Sequence, residues 1–131
     1  MSEGNIPDQL RYTKSHEWVR VEGDVATVGI TDHAQSELTD IVFVDPAAQG
    51  KTVAAGGSVL VLESVKTVAD VYAPGPGTVT EVNPELKGHP ELVNQDPYGR
   101  GWLFRLRLSA PVAADALLTA DAYRAFLASG G

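Results

Sequence analysis

Apolar and polar positions along this chain repeat mostly with a period of two, in runs too short for ordinary helices. Trp18, Val19 and Val21, then Val25, Ala26, Val28 and Ile30, read as two strands joined at the turn tripeptide Glu22-Gly23-Asp24. Ile41, Val42, Phe43 and Val44 predict a third that stops at Asp45-Pro46. Gly56-Gly57 precedes the apolar run that begins at Val59, and Pro74-Gly75-Pro76-Gly77 predicts a turn before a strand from Thr78 to Val82, which Asn83-Pro84 ends. Asn94 to Gly101 is turn-rich, and Trp102 to Leu108 alternates, with Trp102, Phe104, Leu106 and Leu108 on one face against Leu103, Arg105 and Arg107. Two segments change period. Thr31 to Leu38 predicts one helical turn capped by Thr31 or Asp32. Leu117, Leu118, Tyr123, Phe126 and Leu127 predict a C-terminal helix over about 115–129, with Thr119 as a possible cap and Gly130-Gly131 as its end. Trp18, Phe43, Tyr72, Trp102 and Phe104 are expected in the core. Residues 1–9 read as a loose lead-in to a single domain over 10–131. The fold class expected is mainly β, a barrel or sandwich with short helices.

The run from Val59 to Tyr72 cannot be one strand. Its 14 residues would span ~46 Å at ~3.3 Å each, whereas a compact chain of this length is ~36 Å across. It must fold back, and Glu63 to Thr67 is its most polar part. With Val65-Lys66 as the central residues, Ser64 pairs Thr67, Leu62 pairs Ala69 and Leu60 pairs Val71 on one apolar face. Glu63 with Val68, Val61 with Asp70 and Val59 with Tyr72 make a mixed outer face. Lys66 is left at the tip. Tight two-residue turns favour positive φ and glycine or asparagine, so a β-branched Val65 here predicts strain. Read from pattern alone, Lys66 is either an edge lysine that discourages aggregation or a modification site presented on a rigid β turn.

Composition narrows the chemistry. The chain has 131 residues, 44% hydrophobic and 21% charged, and no cysteine, which excludes disulfides, thiolate metal sites and an encoded thiol nucleophile. Ten basic against seventeen acidic residues give a net charge of −7, a poor match for nucleic acid or an anionic membrane. His33 and His89 have no ligand spacing, so no metal is expected, and the histidines including His16 read as helix-cap or loop residues. The first eighteen residues lack an apolar signal core and an Arg-rich presequence, so a cytoplasmic location is expected.

Glu63-Ser64-Val65-Lys66, followed by Ala69-Asp70-Val71-Tyr72-Ala73-Pro74 and Gly77, resembles the lipoyl-attachment hairpin of the glycine cleavage system H-protein family. Tyr12-Thr13-Lys14-Ser15-His16-Glu17-Trp18-Val19, Val28-Gly29-Ile30-Thr31-Asp32-His33-Ala34-Gln35, Asp96-Pro97-Tyr98-Gly99 and Gly101-Trp102-Leu103 are similar to it in order and spacing. The likeness runs from about Leu10 to Leu127. The chain departs from the family at Pro74-Gly75-Pro76-Gly77 and in the loop after Val44, which is a residue shorter than the common form.

The resemblance implies a lipoyl/biotinyl-type hammerhead β barrel (sandwich) that is a carrier and not an enzyme. Lys66 would bear lipoate in amide linkage, with Glu63, Ser64 and Val65 read by the modifying enzyme, a lipoyl or octanoyl transferase or a lipoate ligase. The implied partners are glycine decarboxylase (P protein), aminomethyltransferase (T protein) and dihydrolipoamide dehydrogenase (L protein), met in turn by a monomer. A cationic aminomethyl group on the arm gains from a groove with acceptor groups. Ser15, Glu17, His33 and Asp70 are the candidates, Glu17 and Asp70 for their charge; the plainer reading of those two is solvated surface. A carrier that relays lipoyl groups to other enzymes and an unmodified β-barrel interaction domain are the alternatives.

Overall fold

The computed structural model describes residues 5–45, 50–112 and 117–130. Two antiparallel sheets pack face to face. The larger has six strands in the order β1 (Arg11–Tyr12), β2 (Glu17–Glu22), β3 (Val25–Ile30), β9 (Phe104–Leu108), β8 (Gly77–Val82), β5 (Thr52–Val53). The smaller is β4 (Ile41–Asp45), β6 (Ser58–Ser64), β7 (Val68–Tyr72). The expected fold is present as a sandwich rather than a closed barrel. Alternation explains the packing: Val19, Ala26, Val28, Val79 and Leu106 of the large sheet meet Ile41, Val44, Leu60, Leu62 and Val71 of the small one in a single core.

Local chemistry sets most boundaries. Gly23, at φ 66°, turns β2 into β3. Thr31 caps α1 (Asp32–Leu38) by accepting the Ala34 N–H at 3.1 Å, and this helix makes two turns where one was expected. Pro84–Lys87 forms a 3₁₀ turn after Asn83, and α2 (Leu92–Gln95) is a short helix that the turn-rich reading did not separate. Thr119 caps α3 (Ala120–Ala128) through the Ala122 N–H.

That last helix begins at Ala120 and not near 115. Leu118 is instead held in a two-way bridge with Tyr12, its N–H and C=O bonded at 2.6 and 2.8 Å. Residues 113–116, like the shortened loop at 46–49, lie outside the described residues. The lead-in is partly packed as well. Ile6 is buried with Leu10, Tyr12, Trp18, Ala120 and Tyr123 in a second core, the Pro7 carbonyl accepts the Tyr12 hydroxyl at 2.5 Å, and Arg124 donates to the Ile6 carbonyl at 2.9 Å. Trp18 and Phe104 are buried as expected, but Phe43 and Tyr72 face solvent and Trp102 is half-buried under the Arg105 guanidinium. Leu103 is fully buried because β9 starts only at Phe104, so its side chain is not bound to the face of Arg105.

Candidate functional site

The fold-back of residues 59–72 is the β6–β7 hairpin. Leu60 pairs Val71, Leu62 pairs Ala69, Val61 pairs Asp70 and Glu63 pairs Val68, in the predicted register. At the base a bulge replaces the expected Val59–Tyr72 pair with Ser58–Tyr72 and turns Val59 into the core. The tip is not strained. Neither Val65 nor Lys66 has positive φ, because the serine supplies what a glycine turn would. Ser64 Oγ accepts the Lys66 N–H at 3.1 Å and the Thr67 N–H at 2.9 Å, and the Ser64 N–H donates to the Thr67 carbonyl at 2.8 Å. The Val65 N–H donates to the Asp40 carbonyl at 3.0 Å, which pins the turn to the start of β4. Lys66 is exposed, and its Nζ reaches the Glu37 carbonyl at the end of α1, 3.2 Å away.

Glu37 also lines a cavity of about 310 Å³ between α1, the β1–β2 loop and the edge of β7. Ile30, Ala34, Leu38, Leu62, Ala69 and Val71 give it apolar walls, and Ser15, His16, Glu17, His33, Glu37 and Asp70 supply the polar positions. Ser15 and Glu17, His33, and Asp70 are thus brought to one place from three separate stretches of chain. The lining combines apolar walls with polar positions, and the volume is at the low end for small-molecule sites.

The two carboxylates singled out for their charge are already engaged. Glu17 is 2% exposed. Its Oε1 accepts the hydroxyls of Thr13 and Ser15, the latter at 2.6 Å, and its Oε2 accepts the Tyr72 N–H at 3.1 Å. The Ser64–Thr67 bond sets the phase of the ladder, so Ala69 and Val71 bond to β6 while the backbone of Val68, Asp70 and Tyr72 faces the open edge. Asp70 therefore borders the cavity through its backbone. Its side chain is on the opposite face from Ala69 and Val71 and accepts the Ser58 hydroxyl at 2.7 Å.

Two polar residues of the cavity were not among the candidates: Glu37, and His16, which was read as a cap or loop histidine. Glu37 follows His33 by four positions on α1, a spacing that places them on one helix face and could have revealed it. His16 holds a left-handed conformation at φ 70°. Its Nδ1 is 2.8 Å from the Tyr123 hydroxyl, which is itself 2.8 Å from Thr31 Oγ1, and its ring is 4.8 Å from that of His33. Burial, followed by repulsion from His33, holds the His16 imidazole below its ordinary pKa, with Glu37 opposing the shift. Burial pushes the Tyr123 hydroxyl up to about 12, so it stays protonated and able to donate. His89 is elsewhere, exposed and paired with Glu91. Among the described residues no group of three or more His, Asp or Glu side chains could hold a metal ion, and no helix is long and apolar enough to cross a membrane.

Comparison with known proteins shows the family. Residues 10–130 match the family described as glycine cleavage H-protein. The glycine cleavage system H protein of Symbiobacterium thermophilum is 51% identical over 126 residues, 96% of this chain and 98% of the relative. That of Xanthobacter autotrophicus is 56% identical over 118 residues, 90% of this chain and 94% of the relative. The crystal structure of a glycine cleavage system H protein from Mycobacterium marinum superposes with a TM-score of 0.83 at 39% identity, covering 96% of this chain and 99% of that one. The chain belongs to the glycine cleavage H-protein family.

Proposed function

We propose that Lys66 is the residue through which this member of the glycine cleavage system carries lipoate, in amide linkage on its Nζ. The observation that supports this most is an exposed amine on an ordered hairpin tip that reaches the carbonyl of Glu37, a residue lining the cavity. The lipoyl group supplies a reversible dithiol able to hold an aminomethyl unit; the chain contributes presentation and shelter. Ser64 organises the tip, Glu63 and Val65 flank the amine for the transferase or ligase that acylates it, and the apolar walls receive the methylene stem. Ser15, His33, and Asp70 through its backbone border the far end. Glu17 acts there by orienting Ser15 and the edge of β7. The protein is a non-catalytic, monomeric carrier that works in the cytoplasm and meets glycine decarboxylase, aminomethyltransferase and dihydrolipoamide dehydrogenase in turn.

Intact mass of the protein from cells supplied with lipoate tests the assignment. A gain of one lipoyl amide on the peptide containing Lys66, absent in Lys66→Arg, is expected; an unmodified Lys66 defeats it. Glycine–bicarbonate exchange by glycine decarboxylase, stimulated by the lipoylated protein and not by Lys66→Arg, then separates glycine cleavage from relay of lipoyl groups alone.

A further inference from the structure

Among the described residues six large apolar side chains are substantially exposed: Val21, Val42, Phe43, Val65, Val68 and Tyr72. Five of these six belong to the small sheet or its hairpin tip. The register puts two of them, Phe43 and Val68, in one row. Phe43 is opposite Glu63, which is opposite Val68, and in the next row Asp45, Val61 and Asp70 align. Val44, Leu60, Leu62 and Val71 take the inner face of the same strands, so these two rows point outward. The face is both apolar and acidic. Its strands and tip contain a single Lys or Arg, Lys66 itself. At Phe43, a cavity of about 400 Å³ lined also by Val82, Pro84, Leu86 and Lys87 extends the apolar surface.

Exposed apolar patches interleaved with one sign of charge mark protein contacts. We infer that the outer face of β4, β6 and β7 is a docking surface for a protein partner that presents an apolar patch rimmed by Lys and Arg, seated on Phe43 and Val68 and steered by Asp45 and Glu63. The cavity opens on the other side of the β7 edge. A partner held on the outer face therefore has Lys66 at its border without covering the place where the arm rests. This rests on the carrier reading above, and names the surface by which glycine decarboxylase is engaged.

The probe is purified glycine decarboxylase, titrated with lipoylated wild type, Phe43→Ala, Val68→Thr and Asp45→Asn, with thermal melts as folding controls. Phe43→Ala should weaken binding about tenfold, Val68→Thr severalfold with an unchanged melt, and Asp45→Asn should slow association and flatten its salt dependence. Wild-type affinity in all three variants overturns the docking surface and leaves the carrier reading intact. A lipoylated wild type that neither binds nor supports glycine–bicarbonate exchange overturns both.

Discussion

Glu17 and Tyr72 are 55 residues apart in sequence and are joined by one bond, from the Tyr72 N–H to Glu17 Oε2 at 3.1 Å. It closes the end of an otherwise open strand edge and fixes the wall of the cavity to the large sheet. A carboxylate that accepts three donors while buried is a structural tie before it is a charge for any ligand.

Glu17→Leu should therefore destabilise the fold by about 3 kcal/mol, because the Tyr72 N–H and two hydroxyls lose their acceptor in a closed site. The melting temperature should fall by roughly 10 °C. Glu17→Gln keeps one acceptor oxygen and should lose less. A Leu variant that melts with the wild type would show that these bonds contribute nothing.

Ser64→Ala removes the acceptor of the Lys66 and Thr67 N–H groups without touching the core. Amide exchange at Lys66 and Thr67 should accelerate about fivefold, the equivalent of ~1 kcal/mol, while exchange at Leu62 and Val71 stays unchanged. Acylation of Lys66 by a lipoate ligase should slow in proportion. Unaltered tip exchange would remove Ser64 as the organiser of the turn.

Gly29 lies against the buried indole of Trp18. A Cβ there would be 2.5 Å from Trp18 Nε1, which donates to the Pro97 carbonyl at 2.8 Å. Gly29→Ala must displace the indole and break that bond, for a loss of at least ~2 kcal/mol. The denaturation midpoint should drop at constant m-value, with altered tryptophan fluorescence. A midpoint equal to that of the wild type would mean the strand yields instead.

His16 makes stability depend on pH. Its folded-state pKa is below the ordinary 6.5, so on acidification the unfolded chain takes the proton first. Stability is unaffected well above about 6.5, begins to fall as the pH drops through it, and continues to fall until the lower folded-state pKa is reached. His33 adds to the penalty and Glu37 reduces it. Denaturation midpoints from about pH 8 to about pH 5 should fall more for wild type than for His16→Gln. Parallel curves would place the acid sensitivity elsewhere.

Much of the hairpin was legible in the chain. A run of 14 residues too long for the molecule, with polar residues at its middle, defines both the reversal and the pairing of Leu60 with Val71 and Leu62 with Ala69. The same local logic locates the caps Thr31 and Thr119. It failed where a local preference met a distant partner. Leu118 has helical neighbours but bonds to Tyr12, and Phe43 and Tyr72 have core-type side chains on a face where alternation and the bulge direct them outward. The expected strain at Val65 was absent because a side-chain hydroxyl can replace positive φ in closing a turn.

The sequence by itself determined the mainly β class, the hairpin, the tip position of Lys66 and the family likeness. These follow from the two-residue period and from neighbours a few positions apart. Tertiary structure alone decided what surrounds the lysine. The bonds of Glu17 to Tyr72 and of His16 to Tyr123 join residues 55 and 107 positions apart, and no local pattern specifies which carboxylate is saturated or which side of an edge strand faces a cavity. A carboxylate has the same letter in the sequence whether water or three protein donors surround it; only packing sets its partners and hence its chemistry.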